Sequence, residues 1–126
     1  MDVQTVVTSN APLPVGPYSQ AVAWRDVRFV SGKLSLDPQD GSIIGTTIEA
    51  QAHQALCNLM AILQSQGLGA NALLKTTIYL RDRADLATCN TVYDAVLGGA
   101  RPARSVVAVA GLPKNVLFEI EAVACR

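Results

Sequence analysis

Between Thr46 and Gly67 the sequence carries a continuous apolar stripe with the spacing of an α-helix. The stripe residues recur at steps of three and four, which places them on one helix face: Ile48, Ala52, Ala55, Leu56, Leu59, Ile62 and Leu63. Thr46 and Glu49 have capping-box spacing, so we predict that the helix begins there and ends near Gly67. His53 lies off the stripe, so we expect it to face solvent. The apolar face needs a second layer, and the flanking segments have strand composition.

Alternating or β-branched segments on both sides of this helix predict strands. We place them at Val3 to Thr8, Ala21 to Trp24, Val27 to Ser31, Ala72 to Leu80, Ala103 to Ala110 and Val116 to Ala124. Arg25 and Asp26 would form a tight turn between the second and third strands. In the fourth strand, alternation places four residues on one face: Leu74, Thr76, Ile78 and Leu80.

A second helix is predicted to open at Asp82 and to stop at Gly98 and Gly99. It would turn five side chains inward: Leu86, Cys89, Tyr93, Val96 and Leu97. The order β-β-β-α-β-α-β-β predicts one α+β domain over residues 1–126, in which two helices cover one face of a sheet. The other face needs cover from outside the chain, which favours association with further copies.

Composition narrows the classes of function. Half of the 126 residues are hydrophobic and 16% are charged, against about 25% charged in typical soluble domains, so we expect a homo-oligomer. Ten basic residues balance ten acidic ones, which disfavours nucleic acid and membrane surfaces as partners. The start MDVQTVVTSNAPLPVG has no signal-peptide pattern, and no apolar run approaches the ~18 residues of a membrane span. We expect a cytoplasmic protein.

The metal-binding and nucleophile patterns of common enzymes are missing from the sequence. Cys57, Cys89 and Cys125 are far apart, form no C-x-x-C pair and share the chain with one histidine, His53. This predicts reduced thiols and no metal site. We also find no Ser/His/Asp set and no glycine-rich phosphate loop. Any chemistry is therefore expected to be metal-free.

The segment RPARSVVAVAGLP, residues 101–113, reads as a strand that begins with a cation. Alternation puts three residues on one face: Arg104, Val106 and Ala108. The guanidinium of Arg104 would project over a small apolar floor, where a ligand carboxylate could accept two hydrogen bonds worth roughly 1.5–3 kcal/mol each. A salt bridge to Glu119 or Glu121, or a solvated strand end, would satisfy the same cation, and spacing alone favours these alternatives.

Four more side chains could either form part of a functional site or serve the fold alone. Glu119 and Glu121 share one face of the last strand, where carboxylates usually meet water, although one could activate a water in a cleft beside Arg104. Tyr18 sits in the proline-stiffened loop GPYSQAV and could cap a small pocket or pack under the loop. Asn90, at the centre of the second helix, could likewise belong to a site or only to the fold.

Read together, six motifs resemble the RidA/YjgF family of reactive-intermediate deaminases, also called the L-PSP endoribonuclease family: GPYSQAV, SGKLSLDPQDG, KTTIYLRD, NTVY, RPARS and LPKNVLFEIEAVA. The resemblance runs in order from about Asn10 to Ala124. It implies a chorismate-mutase-like α+β fold with a mixed sheet. It also implies a homotrimer whose sheets pack around the threefold axis, with ligand clefts between subunits.

The resemblance further implies roles for individual residues. Arg104 would bind the carboxylate of a 2-imino or 2-keto acid, and Glu119 would position the hydrolytic water. Supporting contacts would come from Tyr18 of the adjacent chain, from Asn90, and from the backbone N–H groups of Gly32 and Val106. The implied reaction hydrolyses enamines such as 2-aminoacrylate, through 2-iminopropanoate or 2-iminobutanoate, to 2-keto acids and ammonia without a cofactor.

The chain departs from the family pattern at three positions that would border the substrate. Val106 stands where relatives often have cysteine, which leaves the backbone N–H in place. Lys33 replaces a common glutamine and would bring positive charge close to the cleft. Leu86 replaces a common phenylalanine and would leave a roomier wall. These changes bear on the preferred substrate.

Two other classes of function compete with the deaminase. A sensor could bind 2-keto acids through Arg104 without turnover. An endoribonuclease or translation inhibitor, which the older family name suggests, usually needs an acid–base pair and a cationic groove, and the zero net charge and single histidine argue against it.

Overall fold

The computed structural model describes residues 2–126, which form one mixed sheet and two α-helices. The elements are β1 Val3–Val6, β2 Ala21–Trp24, β3 Val27–Lys33, α1 Ile48–Ser65, β4 Leu73–Leu80, α2 Leu86–Leu97, β5 Ala103–Ala108 and β6 Phe118–Cys125. Their order and class confirm the predicted α+β arrangement, with strand ends displaced by one or two residues. Neither described helix has the length and apolar character that a membrane crossing requires.

The sheet has the order β1-β2-β3-β6-β4-β5, so β1 and β5 are its edges. All neighbouring strands are antiparallel except β4 and β5, which are parallel and are connected through α2. The predicted turn at Arg25 and Asp26 is confirmed, because Trp24 pairs with Val27. The parallel register sets Arg104 opposite Thr76, and the β4–β6 register sets Tyr79 opposite Glu119.

Both helices cover one face of the sheet, and the core lies between the two layers. The predicted stripe of α1 is buried from Ala52 to Leu63, with Ile48 half-buried at its start, and His53 is exposed as expected. Phe118 and Ile120 of β6 are fully buried beneath the helices. A buried side chain of this size stabilises the fold by roughly 1.5–3 kcal/mol, so the stripe accounts for much of the layer packing.

The caps of α1 differ from the sequence prediction at one end. The N-cap is Thr47 and not Thr46: its backbone is extended and its hydroxyl accepts a hydrogen bond from the Ala50 N–H at 3.2 Å. At the other end Gly67 adopts a φ of +71°, and the Leu68 N–H bonds the Leu63 carbonyl at 2.9 Å. This Schellman motif confirms the predicted stop near Gly67.

The second helix opens as predicted, with a 3₁₀ turn at its start. The Asp82 side chain accepts a hydrogen bond from the Ala84 N–H at 2.9 Å, and the α-helical part begins at Leu86. Gly98, with a φ of +60°, ends it. Three of the predicted inward side chains are buried and two are half-buried: Cys89, Tyr93 and Leu97, then Leu86 and Val96.

The predicted orientation of Leu74 is wrong. The β4–β6 register shifts between Leu73 and Lys75, so the extra residue of this irregularity reverses the alternation at the start of β4. Leu73 therefore turns into the core at 6% exposure, and Leu74 is 52% exposed. The rest of the strand keeps the predicted facing, with Thr76, Ile78 and Leu80 buried.

The sheet face opposite the helices is open in a single chain. Phe29 and Val107 on this face are 48% and 43% exposed. Large apolar groups on a broad sheet face are characteristic of a surface that binds another protein. One chain therefore leaves uncovered the face for which the sequence predicted external cover.

Candidate functional site

A cleft of about 460 Å³ lies where β3, β6 and the loop before β2 meet. We call it the Glu119 cleft. Its lining includes the apolar Pro12, Leu13, Val15, Leu34, Leu36 and Pro113, and the polar Tyr18, Ser31, Gly32, Lys33, Lys114 and Glu119. Four residues that the sequence nominated separately are thus neighbours in space: Tyr18, Gly32, Lys33 and Glu119.

A close approach between Gly32 and Glu119 shapes the floor of this cleft. Val30 pairs with Ala122 and Lys33 pairs with Ile120. Over this stretch β3 therefore advances by three residues while β6 advances by two. This bulge brings the Gly32 backbone against the Glu119 side chain, and a Cβ atom at Gly32 would overlap the carboxylate. Only glycine leaves the Glu119 carboxylate in its observed place.

The environment of Glu119 disfavours its charge. Its side chain is half-buried on the open face of the sheet. Burial raises the pKa of this carboxyl above its usual range, the nearby Glu121 raises it further, and Lys33 opposes both effects. Glu121 itself accepts a hydrogen bond from the Tyr79 hydroxyl. Glu119 thus retains a free carboxylate with a raised proton affinity, as a group that exchanges a proton with water requires.

Lys33 lies in the same cleft and is 5% exposed. Burial lowers the pKa of its amine from 10.5 to about 8, and the Glu119 charge partly opposes this shift. Within residues 2–126 the amine makes no hydrogen bond and no ion pair. Lys33 therefore contributes a largely desolvated side chain to the lining of this cleft.

The loop that carries Tyr18 is held by a residue that sequence reasoning missed. Gln20 is 1% exposed, and its side-chain carbonyl accepts a hydrogen bond from the Thr8 N–H at 2.8 Å. Its amide donates to the carbonyls of Ala11 and Pro12 at 3.1 and 2.9 Å. Tyr18, 48% exposed, stands at the rim of the cleft on this pinned loop.

Two buried amides of α1 hold the other walls. The Asn58 amide donates to the carbonyls of Leu34 and Leu36 at 3.0 and 2.9 Å. The Gln51 side chain accepts from the Leu117 N–H at 2.7 Å, just before β6. Both residues flank the apolar stripe, and a polar residue at such a position is the signal that could have indicated them.

Arg104 lies at a second site, which we call the Arg104 cavity. This space of about 450 Å³ is lined by Asn90, Tyr93, Asp94, Arg101, Pro102 and Arg104. The predicted small apolar floor under Arg104 is wrong: the guanidinium carbon lies 4.9 Å from the centre of the Tyr93 ring, a cation–π distance. The Tyr93 and Thr76 hydroxyls lie 2.7 Å apart, which fixes the ring. The NTVY motif, which places Asn90 and Tyr93 one helical turn apart, was the sequence signal that could have indicated Tyr93 beneath Arg104.

The salt bridge considered as an alternative for Arg104 is absent within residues 2–126. The ion pair found there joins Arg101 to Asp94 at 2.7 Å on the surface. Arg104 shares its face with the buried Thr76, whereas Glu119 shares the opposite face with Tyr79, three residues further along β4. Because strand side chains alternate between faces, Arg104 and Glu119 of one chain point to opposite sides of the sheet. Arg104 is exposed but borders a cavity.

Leu86 and Val106 line a third cavity, together with Leu80, Arg83 and Ala108. Val106 lies on the edge strand β5. The Val109 N–H bonds the Leu80 carbonyl of β4, so alternation turns the Val106 N–H toward the free edge. That N–H is available to a ligand or another chain.

The chain thus provides two separate groups of candidate site residues, the Glu119 cleft and the Arg104 cavity, and we call each a half-site. One holds a carboxylate and an amine in an apolar cleft, suited to proton transfer with a bound water. The other holds an unpaired guanidinium with an adjacent amide, suited to a carboxylate ligand.

Comparisons with known proteins place the chain in a family. Residues 8–126 match the family model described as Endoribonuclease L-PSP. A 2-iminobutanoate/2-iminopropanoate deaminase of Salmonella typhimurium is 41% identical, and a RutC family protein of Pyrococcus horikoshii is 44% identical, each alignment covering 98% of both chains. The crystal structure of E. coli TdcF with bound serine superposes with a TM-score of 0.91 at 38% identity, over 98% of both chains. The chain therefore belongs to the endoribonuclease L-PSP family, the RidA/YjgF family that its sequence motifs resemble.

Proposed function

We propose that this protein hydrolyses the C=N bond of small 2-imino acids, releasing 2-keto acids and ammonia. The observation that carries the proposal is the free carboxylate of Glu119, seated against Gly32 in an apolar cleft with a raised pKa. The relative from Salmonella typhimurium named as a deaminase supports the same reaction.

The reaction proceeds in three steps. An enamine first takes a proton at its terminal carbon and becomes an imine. Water then adds to C2 while the Glu119 carboxylate accepts a proton from it. The carbinolamine finally expels ammonia, to which Glu119 returns the proton. Because such imines already react with water, orientation and an activated water are enough.

The substrate carboxylate is held by Arg104 of a neighbouring copy. The opposite facing of Arg104 and Glu119 in one chain supports this division, as does the exposed apolar face around Phe29 and Val107. A homotrimer, closed around a threefold axis, would bring each Arg104 cavity to the Glu119 cleft of the next subunit. Tyr18 and the Gly32 backbone would then line the ligand from one chain, and Asn90 and the Val106 N–H from the other. Leu86 would form a more distant wall.

A coupled assay tests the proposed reaction. A threonine dehydratase generates the enamine, semicarbazide traps the imine, and the release of keto acid is followed with and without this protein. We expect faster keto-acid release and less trapped adduct, and we expect Glu119→Gln to abolish both effects. An unchanged rate with the wild-type protein would contradict the proposal.

A sensor is the second candidate, because the TdcF structure shows a relative with bound serine and Arg104 would serve binding as well as catalysis. The sensor predicts that the protein binds 2-keto acids but gives no rate increase in the coupled assay. The deaminase predicts that Glu119→Gln loses turnover and keeps binding, measured by calorimetry with 2-oxobutyrate.

A further inference from the structure

The third cavity contains a charged residue that the proposed hydrolysis does not use. This space of about 390 Å³ is lined by Leu80, Arg83, Leu86, Val106 and Ala108, and we call it the Arg83 cavity. Among these lining residues Arg83 carries the one charge, and the other four are apolar. A cavity of this kind suits a ligand whose hydrocarbon chain ends in an anionic group.

The Arg83 cavity follows the Arg104 cavity along the same two elements. Arg104, Val106 and Ala108 alternate onto one face of β5. On α2, Asn90 lines the Arg104 cavity and Leu86, one turn earlier, lines the Arg83 cavity. Arg104 and Ala108 lie about 13 Å apart along the strand. A three-carbon acid held at Arg104 therefore ends near Val106, and only a longer acid reaches the Arg83 cavity.

Arg83 differs from the other arginines of the chain because it has no partner. It is exposed, and within residues 2–126 its guanidinium makes no hydrogen bond, ion pair or aromatic contact. Every other arginine makes at least one such contact: Arg25, Arg28, Arg81, Arg101, Arg104 and Arg126.

The acidic neighbours of Arg83 in the chain do not neutralise it. Asp82 and Asp85 both lie beyond ion-pair distance from its guanidinium, and the Asp82 carboxylate accepts a hydrogen bond from the Ala84 N–H at 2.9 Å. Arg83 therefore brings a free positive charge to the rim of an apolar cavity, where a carboxylate could accept two parallel, charge-assisted hydrogen bonds from it.

We propose that the Arg83 cavity receives the side chain of the bound acid and that Arg83 binds a second carboxylate there, which selects five-carbon 2-imino and 2-keto dicarboxylic acids. This inference rests on the proposed function, in which Arg104 binds the first carboxylate. The methylene groups of the diacid pack against Leu80 and Leu86. With an arginine at each end of the ligand, C2 stays beside Arg104, and the reaction at C2 is unchanged.

Calorimetry on the full chain tests the second carboxylate site without any turnover. Binding of 2-oxoglutarate is compared with binding of 5-methyl-2-oxohexanoate, a monoacid of the same size in which two methyl groups replace the oxygens of the second carboxylate. We expect 2-oxoglutarate to bind about tenfold more tightly. Because the added contact is between charges near the surface, this preference should decrease in high salt.

Two substitutions at Arg83 and one nearby control assign the preference to this residue. Arg83→Gln should abolish it, and Arg83→Lys, which keeps the charge and loses the planar fork, should keep part of it. Arg81→Gln is the matched control, since this exposed arginine lies outside the cavity and donates to the Asn115 carbonyl at 2.9 Å. The preference should be unchanged there. Leu86→Phe should weaken binding of both compounds, because the ring fills the cavity.

Sedimentation velocity on each variant tests the competing role, in which Arg83 pairs with a carboxylate of a neighbouring copy. Dissociation of the Arg83→Gln protein would overturn the inference, as would a preference for 2-oxoglutarate that is absent from the wild type or persists in Arg83→Gln.

Turnover separates this inference from the proposed function. An amino-acid oxidase generates the imines of glutamate and of 2-aminobutyrate in situ, and semicarbazide traps what remains. Turnover with a ratio between the two imines that Arg83→Gln leaves unchanged would overturn the role of Arg83 alone. Preferential binding of 2-oxoglutarate with no turnover of either imine would overturn the deaminase proposal and leave the second carboxylate site standing.

Discussion

Gly32 and Glu119 act as a unit, because the backbone of one occupies the space that a side chain would need beside the other. In Gly32→Ala the new methyl group displaces the flexible end of Glu119 and leaves the sheet intact. We expect kcat to fall by about 100-fold, the loss of a positioned acid–base group, with little change in melting temperature.

The matched control is Gly69→Ala, since a Cβ atom there meets nothing within 4 Å. That variant should retain wild-type turnover in the coupled assay. Full activity in Gly32→Ala would show that the observed position of the Glu119 carboxylate is not the catalytic one.

Lys33 gives the fold a pH dependence with a definite sign. Its native pKa of about 8 lies below the ordinary lysine value, so between pH 8 and about 10.4 the unfolded chain binds more protons than the native one. Stability therefore rises with pH across that window, and the full cost of the buried charge is present below it. Lys33→Met should raise the free energy of unfolding by about 2 kcal/mol at pH 7 and by much less above pH 10.

Urea titrations at the two pH values measure this difference, with Lys75→Met as the control on a half-buried lysine that has a hydrogen-bond partner. An equal effect of Lys33→Met at both pH values would mean that packing, and not charge, sets the stability change.

At the scale of elements, buried amides fix the loops that form the cleft. Gln20→Ala removes the hydrogen bonds to Thr8, Ala11 and Pro12 and leaves buried backbone groups unpaired. We expect a loss of about 1–3 kcal/mol of stability. We also expect faster amide exchange between residues 8 and 20, and a larger effect on KM than on kcat because the Tyr18 rim loosens.

Hydrogen exchange with mass spectrometry measures the loop directly, and the exposed Gln39→Ala serves as the control. Unchanged exchange in Gln20→Ala would show that the prolines alone keep this loop in place.

Periodicity predicted which residues are buried wherever burial depends only on spacing within a single segment. The stripe of α1 and the closure by Gly67 depend on local spacing, so they could be read from the sequence. The reversal at Leu74 and the bulge at Gly32 could not, because both are set by pairing with β6, a strand distant in sequence. The role of Gln20 was hidden for another reason: its partners are backbone groups of the preceding loop, 8 to 12 residues away, and no periodic pattern reports hydrogen bonds within a loop.

For the whole molecule, the decisive feature is that Arg104 and Glu119 face opposite sides of one sheet. The sequence predicted both residues and the uncovered face. It could not show that they face opposite sides, because this depends on the registers in which β5 and β6 each pair with β4. A single chain therefore holds two half-sites on opposite sides of its sheet, and the proposed function requires another copy to complete either.

A trimer in solution is the first consequence. Analytical ultracentrifugation should give a mass of about three chains. Val107→Glu, which places a charge on the open apolar face, should dissociate the assembly and abolish turnover together. A monomeric Val107→Glu protein with wild-type turnover would contradict a site shared between subunits.

Complementation between two inactive variants tests the shared site most directly. Arg104→Ala and Glu119→Gln are each assayed alone, then unfolded, mixed in equal amounts and refolded together. In a mixed trimer one site receives Arg104 from one variant and Glu119 from the other, so random assembly restores about a quarter of the wild-type sites. We predict recovery of that fraction of the deaminase activity, and a mixture no more active than the sum of the two separate variants would contradict the account.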